Sequence, residues 1–440
     1  MSVPPLKRVF VQSFGCRASQ ADGAGLESAF ESGGLQPVRS AAEADLVVLN
    51  TCTVTAAADG DARHAVRKVL EENPTARVLM TGCYAQRAPG ELAALPGVTW
   101  VVGNSHKTHI PDIVLGASER NEAYHGQIFA SDMSEAREFL AAPILDAYAE
   151  RSRPTLKVQD GCSNKCSFCI IPSVRGRSRS APLQSVLDQI SNLADKYAEV
   201  VLSGINLGRW GRDLAGNLRF VDLLRAILNE TVIQRLRISS VEPMDWTSEV
   251  LELMAAEPRV AKHVHIPLQS GSDAVLKRMY RKYRVRHYES RIALARRLMP
   301  DAAIGADVMT GFPGETDEEF EETKRFISEH PFTYLHVFTY SERPGTAAAS
   351  ELNQVPVAVR RQRTRALRQL SEEKNLQFRQ GIIGQSLSAV TLGGNKAITS
   401  NYLQVNLAQP RPANQIVNLT IGGITETGVS ETQLFRVLPA

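Results

Sequence analysis

The alternation of strand-like and helix-like segments constrains the fold of this chain more than any other feature. Strand-like apolar runs occupy residues 9–13, 45–50, 77–81 and 98–103. Helical stretches follow the first run, to about residue 32, and the second run, across residues 57–72. Strands that alternate with helices are typical of a parallel sheet. The sequence therefore predicts an open parallel α/β domain at residues 6–118.

A second series of the same kind begins near residue 155, after a less periodic segment that we interpret as a linker at residues 119–147. Six apolar runs separated by helical segments indicate a (β/α) barrel, full or partial, whose active site lies at the carboxyl ends of its strands. We assign this core to residues 148–378, with a long helix after Pro356 at its end. Short alternating β runs at residues 379–440 then predict a small β-barrel.

The six cysteines fall into two groups of three, which a disulfide scheme does not explain. One group is a CxxxCxxC triplet that follows the first strand of the predicted barrel: Cys162, Cys166 and Cys169. Members of the other group lie far apart, but each directly follows a strand of the N-terminal sheet: Cys16, Cys52 and Cys83. Because parallel strands end at one edge of a sheet, we expect the second group to converge there. Taken alone, its members could also be inert buried thiols.

The triplet suits an iron–sulfur cluster. Thiolates are the usual ligands of such clusters, and close spacing lets one loop bind several irons. Three ligands leave the fourth iron of a cubane open to another chelator. A closed zinc site, the alternative, needs a fourth cysteine or histidine, and none lies nearby in sequence. We therefore expect Cys162, Cys166 and Cys169 to hold a 4Fe–4S cluster with one open iron and to be the catalytic residues.

With Phe168 before its last cysteine, the triplet resembles the signature of the radical-SAM superfamily. The resemblance implies that S-adenosyl-L-methionine (SAM) chelates the open iron through its amino and carboxylate groups. It also implies that an external electron donor drives cleavage of SAM to methionine and a 5′-deoxyadenosyl radical.

The resemblance narrows to the methylthiotransferases over nearly the whole chain. It is carried by NTCTVT at 50–55, TGC at 81–83, VQDGCSNKCSFCIIPSVRGRSRS at 158–180, HIPLQSGSDAVLKRM at 265–279 and DVMTGFPGETDEEF at 307–320. It implies a second 4Fe–4S cluster, on Cys16, Cys52 and Cys83, that carries the sulfur to be inserted. It also implies that the tail is similar to a TRAM domain, a small RNA-binding β-barrel. One position departs from the family, which has Asn where this chain has the shorter Ser19.

Polar groups at the ends of barrel strands are candidate SAM ligands, because these ends point to the mouth of the site. Ordinary turns and loop hydrogen bonds explain the same residues nearly as well. Together with the aromatic residue of the triplet, the cofactor-binding candidates are Phe168, Ser203, Gly204, Asn206, Ser240, Glu242 and Gln269.

Charge favours an RNA partner only weakly, since the net charge is +3. Three arginines follow the triplet, where a phosphate-bearing substrate could approach: Arg175, Arg177 and Arg179. Five more lie on the long helix, a pattern that is more often a solvated face: Arg360, Arg361, Arg363, Arg365 and Arg368. The tail is not strongly basic, with Lys396, Arg411 and Arg436 against Glu426 and Glu431. No apolar run reaches bilayer length and no signal peptide is evident, so we expect a cytoplasmic protein without a membrane partner.

The resemblance thus identifies a tRNA methylthiotransferase that acts on C2 of N6-threonylcarbamoyladenosine in the anticodon stem-loop. Related branches act on N6-isopentenyladenosine in tRNA or on an aspartate of a ribosomal protein. Two other classes stay open. One is a radical-SAM enzyme whose second cluster transfers electrons, and the other is a non-catalytic iron–sulfur RNA-binding protein.

Overall fold

A computed structural model describes residues 5–119, 126–133 and 153–432 of the chain. Within these ranges the chain forms a six-stranded parallel sheet, a partial barrel of parallel strands and a closed five-stranded β-barrel. The predicted α/β class and the order of its three parts are therefore confirmed. No helix of the described ranges is long and apolar enough to cross a membrane.

The N-terminal sheet has the strand order β2-β1-β3-β4-β5-β6, and all its neighbouring strands are parallel. Its strands are β1 (Arg8–Ser13), β2 (Gln36–Pro37), β3 (Leu46–Thr51), β4 (Arg77–Gly82), β5 (Val98–Gly103) and β6 (Gln127–Phe129). Its helices are α1 (Arg17–Ser32), α2 (Ala56–Glu72), α3 (Cys83–Arg87), α4 (Pro89–Ala93) and α5 (Ile110–Glu119). Strand β3 is buried along its whole length because helices cover both faces of the sheet.

The core contains six parallel strands in the order in which the sequence predicts them, and a short antiparallel strand, β8. The strands are β7 (Thr155–Asp160), β8 (Arg179–Ser180), β9 (Glu199–Gly204), β10 (Arg235–Ile238), β11 (His263–His265), β12 (Ala303–Thr310) and β13 (Tyr334–Thr339). The helices are α6 (Ile171–Arg175), α7 (Leu183–Ala194), α8 (Phe220–Glu230), α9 (Ser248–Ala256), α10 (Asp273–Arg278), α11 (Val285–Leu298), α12 (Asp317–Glu329) and α13 (Val357–Gly381). Helices and strands bury one continuous apolar core that includes Trp210 and Trp246.

The tail is a closed barrel of strands β14 (Ser386–Gly393), β15 (Lys396–Thr399), β16 (Gln404–Asn406), β17 (Ile416–Ile424) and β18 (Val429–Glu431). It is fixed to the core by Arg237, whose Nη2 donates to Thr399 O at 3.0 Å and to Glu199 Oε2 at 3.0 Å. Beside this contact the ring of Tyr402 stacks on His263, with 4.2 Å between ring centroids. The C-terminal barrel therefore places the side chain of Tyr402 against His263 of the core strand β11.

Three strands were not predicted: β2, β6 and β8. Each has only two or three residues, too few to show a period of two. Strand β6 falls within the predicted linker and pairs with β5, while residues 120–125 and 134–147 of that segment lie outside the described ranges. The domain boundaries at 118, 147 and 378 remain predictions.

Candidate active site

The cysteine triplet lies in the loop between β7 and α6, at the carboxyl end of the partial barrel. Backbone hydrogen bonding closes this loop, since Cys162 N donates to Gly176 O at 3.0 Å. Gly161 begins the loop with a φ of +69°, and a Cβ there would lie 2.1 Å from Arg177 O. Only glycine fits such a turn, so the sequence itself sets the path of the loop.

Two sulfurs of the triplet accept hydrogen bonds from side chains elsewhere in the core. Asn206 Nδ2 donates to Cys162 Sγ at 3.4 Å, and Arg281 Nη1 donates to Cys166 Sγ at 3.2 Å. Arg281 is buried, and its Nη2 pairs with Glu242. Such bonds tune iron–sulfur clusters. The predicted Asn206 thus contacts the triplet directly, and Glu242 reaches it through Arg281, which sequence reasoning missed.

These residues fit an iron–sulfur cluster with three protein ligands. The three thiols are free. Burial raises the pKa of Cys169 to about 12 and also raises the pKa of Cys162, because burial opposes the thiolate. Iron offsets this cost because it binds the thiolate form. Asn206, which is bonded to Cys162, also has a buried Oδ1 with no hydrogen-bond partner among the described residues, so the site has a polar acceptor left unused by the protein.

The N-terminal cysteines lie at the carboxyl ends of three adjacent strands, β1, β3 and β4. Gly15 packs against Cys52, since a Cβ at Gly15 would lie 2.8 Å from Cys52 Sγ. Burial, together with the charges of Cys83 and Cys16, raises the pKa of Cys52 to about 11. The three thiols therefore share one small region, as a cluster with three ligands requires.

Each of these three sulfurs also has a polar neighbour: Ser19 Oγ lies 3.6 Å from Cys16 Sγ, Val54 N donates to Cys52 Sγ at 3.5 Å, and Asn104 Nδ2 donates to Cys83 Sγ at 3.7 Å. The donor set fits a second cluster in the same way as the triplet fits the first. Ser19, at the position that departs from the family pattern, is buried and places a hydroxyl beside the sulfur of Cys16.

A buried group of charges lies between the two cysteine groups and joins the N-terminal domain to the core. Its members are all at most 6% exposed: Asp22, Lys107, Lys157, Asp160 and Arg175. Asp22 Oδ2 accepts from Lys107 Nζ at 3.0 Å and from Arg175 Nη2 at 3.0 Å. Although burial alone would raise the pKa of Asp22, the three cations hold it well below its usual range. Two carboxylates against three cations leave the group with one positive charge beside the N-terminal thiols.

This group corrects one sequence prediction. Arg175 was expected to meet the phosphates of a substrate, but its side chain is 1% exposed and is bound to Asp160, Asp22 and Ser19. Its guanidinium is buried and already bound to groups inside the protein, so it is not an RNA contact. Arg177, two residues further on, is exposed.

A cavity of about 580 Å³ opens between the three parts of the chain. Residues from all three parts line it, among them Cys16, Arg17, Ser203, Gly204, Ser240, His265, Asp307, His336 and Tyr402. Ser240 Oγ lies 2.5 Å from Nδ1 of His265. Burial lowers the pKa of His265 to about 4, despite the nearby Asp307. The predicted Ser203, Gly204 and Ser240 therefore share one cavity with Cys16.

A second cavity, of about 200 Å³, adjoins the first and shares Asp307 and Phe338 with it. Its lining includes three residues of interest: Phe168, Cys169 and Gln269. Gln269 has a φ of +64°, which is uncommon for a residue other than glycine. Its backbone is held there because Gln269 N donates to Asp307 O at 2.8 Å. Six of the seven predicted cofactor-binding residues thus contact the triplet or line these two cavities, and Glu242 reaches the triplet through Arg281. The roles of all seven remain predictions.

The arginines of the long helix α13 divide by exposure. Arg360 and Arg363 are buried, and Arg363 Nη1 pairs with Glu315 at 2.6 Å. They hold the helix to the core and are unavailable to RNA. The other three are exposed: Arg361, Arg365 and Arg368.

Comparison with protein families gives two matches. Residues 156–327 match the radical SAM superfamily, and residues 8–103 match an uncharacterized protein family, UPF0004. The second match covers strands β1 to β5 of the N-terminal sheet and the first lies within the partial barrel, and each contains one group of three cysteines.

Curated relatives match over most of the chain. A protein of Aquifex aeolicus, called threonylcarbamoyladenosine tRNA methylthiotransferase MtaB, is 36% identical over 94% of this chain and 100% of its own length. The protein of that name from Bacillus subtilis is 38% identical over 83% of this chain and 80% of its own length. A tRNA-2-methylthio-N(6)-dimethylallyladenosine synthase of Syntrophobacter fumaroxidans is 32% identical over 95% of this chain and 91% of its own length.

Among solved structures, the radical S-adenosylmethionine methyltransferase TsrM of Kitasatospora setae has a TM-score of 0.58. It is 17% identical, and the match covers 80% of this chain and 78% of that one. At this identity the likeness shows the fold alone, and it agrees with the order of sheet and partial barrel described above.

Proposed function

This chain belongs to the radical-SAM methylthiotransferase family, and we propose that it adds a methylthio group to C2 of N6-threonylcarbamoyladenosine in the anticodon stem-loop of tRNA. One observation carries the proposal. Cys16 lines the larger cavity and Cys169 lines the adjoining one, so one cysteine of each group faces one of two adjoining cavities. A substrate base held there lies within reach of both groups.

Membership of the family brings SAM and a 4Fe–4S cluster, for which Cys162, Cys166 and Cys169 are the proposed ligands. When bound, this pair supplies a 5′-deoxyadenosyl radical, which can attack an aromatic C–H bond that is inert to acids and bases. The protein's own groups position the cofactors. Asn206 and Arg281 fix two sulfurs of the triplet by hydrogen bonds.

We assign the second cluster, and with it the sulfur, to Cys16, Cys52 and Cys83. The support is their convergence at one sheet edge, their polar neighbours and the exposure of Cys16 to the larger cavity. The buried group carries one net positive charge, and one of its cations, Arg175, is bonded to Ser19 beside Cys16, so this charge complements thiolates at this place. An external electron donor completes the requirements.

The choice of threonylcarbamoyladenosine follows relatives that carry this substrate in their names and match 94% of the chain at 36% and 34% identity. Contact with RNA is assigned to the C-terminal barrel and to the exposed Arg177. Of the barrel's cations, Lys396 is exposed and Arg411 is paired with Glu431 at 2.5 Å, while Arg436 lies outside the described residues.

The test is mass spectrometry of tRNA nucleosides from a deletion strain. We expect 2-methylthio-N6-threonylcarbamoyladenosine to be absent and to return with the intact gene, but not with Cys16→Ala or Cys162→Ala. Loss of the isopentenyl derivative instead would assign the chain to the other branch. Anaerobic reconstitution tests the two clusters, because about eight irons per chain are expected, and about four in a variant that lacks either group of cysteines.

A further inference from the structure

We propose that Arg17 forms a carboxylate-binding subsite that recognises the threonine carboxylate of the modified base. This inference rests on the proposed function and deepens it, because it names the residue that selects an anionic N6 substituent. The threonylcarbamoyl group carries a carboxylate, whereas an isopentenyl group has no polar atom.

The position of Arg17 places it beside the chemistry. It directly follows Cys16 at the start of α1, is half-buried, and lines the larger cavity together with Ser203 and Ser240. In the purine ring, C2 and the carbon that bears N6 flank the same nitrogen, N1. A base that presents C2 to the sulfur near Cys16 therefore keeps its N6 substituent in the same cavity.

The charge of Arg17 is not used within the protein. Among the described residues no carboxylate lies within ion-pair distance of its guanidinium, and its one side-chain hydrogen bond goes from Nη2 to Tyr402 Oη at 3.1 Å. A guanidinium has five N–H donors in a planar fork that matches a carboxylate. Most of its donors thus remain available to a ligand in the cavity.

The carboxylate that lines the cavity does not compete for Arg17. No ion pair joins Asp307 to Arg17; the histidine nitrogens nearest to Asp307 Oδ1 belong to neighbouring barrel strands, His265 Nε2 at 3.5 Å and His336 Nδ1 at 3.4 Å. The cavity therefore offers one cation whose natural complement is an anionic ligand.

Arg17 is also held in place. Its partner Tyr402 belongs to the C-terminal barrel, stacks on His263 with 14° between the ring planes, and lies under the guanidinium of Arg237 at 5.3 Å from the ring centroid. A fixed guanidinium loses little freedom on binding, which makes recognition of a carboxylate more favourable. A site built in this way disfavours an apolar substituent, since that ligand would cover the charge without satisfying it.

The experiment uses the reconstituted full-length protein and anticodon stem-loop RNAs that differ at one base. The base carries threonylcarbamoyl, glycylcarbamoyl, the methyl ester of threonylcarbamoyl, isopentenyl or no modification. Binding is measured by fluorescence anisotropy, and methylthiolation is measured in parallel. The variants are Arg17→Met, Arg17→Lys as the charge-conserving control, and Tyr402→Phe, which removes the hydroxyl that holds the guanidinium.

We expect the wild type to bind the two carboxylate-bearing RNAs roughly ten- to a hundredfold more tightly than the methyl ester RNA. In Arg17→Met this preference disappears, while affinity for the unmodified RNA stays the same. Arg17→Lys keeps part of the preference, and Tyr402→Phe weakens it. Iron content equal to that of the wild type establishes that each variant is folded and loaded.

Three results would overturn the inference. If Arg17→Met keeps the preference, or weakens binding of all RNAs equally, Arg17 does not read the carboxylate although the proposed function stands. If Arg17→Met loses its iron, the test rests on Tyr402→Phe instead. A Tyr402→Phe variant that prefers carboxylate-bearing RNAs as strongly as the wild type would reject the subsite. If the wild type methylthiolates only the isopentenyl RNA, both the inference and the proposed function are wrong.

Discussion

Arg175 donates a hydrogen bond from Nη2 to Oδ2 of Asp22 at 3.0 Å, and this bond joins the helix after the cysteine triplet to the N-terminal domain. Both side chains are only 1% exposed. Nη1 of Arg175 donates to Asp160 Oδ1 at 2.9 Å, so one guanidinium binds carboxylates from both domains. The distance between the two groups of cysteines therefore depends on this buried arginine.

Replacing Arg175 with Met should lower the free energy of unfolding by about 3–5 kcal/mol, because it leaves Asp22 and Asp160 buried with less compensation. The matched control is Arg177→Met, which changes an exposed arginine two residues away and should alter stability by less than about 0.5 kcal/mol. Urea unfolding of both variants, followed by circular dichroism, measures the difference. Equal effects in the two variants would show that the buried group does not hold the domains together.

Ser19→Ala tests the position at which the chain departs from its family. Ser19 Oγ accepts from Arg175 Nη2 at 3.2 Å and lies beside Cys16, so its loss should cost about 1–2 kcal/mol. The three cysteines remain, and iron content after reconstitution should equal that of the wild type. Ser28→Ala, on the same helix, is the control and should be neutral or slightly stabilising. A loss of iron in Ser19→Ala would instead make the hydroxyl essential to the cluster.

Glu27 makes the folding stability of the N-terminal domain depend on pH, and this effect can be measured separately from the chemistry of the active site. Burial, and then the charge of Glu31, raise the pKa of Glu27 to about 7. Since this is above the unfolded value, the folded state binds more protons between about pH 4.5 and 7, and Glu27 weakens stability as pH rises through that window.

Glu27→Gln removes this effect. It should stabilise the protein at pH 8 by about 1 kcal/mol, a figure reduced for the side chain's partial exposure, and should change little at pH 4. Glu71→Gln, at an exposed position, is the control and should have no such pH dependence. Thermal unfolding from pH 4 to pH 8 provides the measurement. A stabilisation that is equal at both ends of the range would contradict the raised pKa.

The strands that position the site could be predicted from sequence because each is a continuous apolar run ended by polar residues. Val98–Gly103 was predicted to the residue, and the triplet was placed at the end of the first barrel strand. Asn206 was found for the same reason, because the end of a barrel strand has a known direction.

The roles of the arginines could not be predicted in this way. Arg175 stands among basic residues and reads as a phosphate contact, but its partner Asp22 is 153 residues away along the chain. Arg281 lies 115 residues from Cys166, and no local pattern distinguishes it from the exposed Lys282. Which charge is buried depends on packing between distant segments, and neither periodicity nor spacing reports that packing.

Arg281 provides the last prediction. Its Nη1 donates to Cys166 Sγ at 3.2 Å, and positive charge and N–H donors near a cluster favour its reduced state. Arg281→Gln should therefore make the reduction potential of the triplet's cluster more negative. Each 1.4 kcal/mol of lost stabilisation corresponds to about 59 mV for one electron.

The potential is measured by redox titration with electron paramagnetic resonance, in a Cys16→Ala, Cys52→Ala, Cys83→Ala background that retains only the cluster of the triplet. Lys282→Gln removes an exposed charge next in sequence and should shift the potential much less. Since Arg281 also binds Glu242, the double variant Arg281→Gln with Glu242→Gln separates the two effects. If the double variant recovers the wild-type potential, the net charge sets the potential; if the shift persists, the hydrogen bond to Cys166 sets it. An unchanged potential in Arg281→Gln itself would remove Arg281 from any role at the cluster.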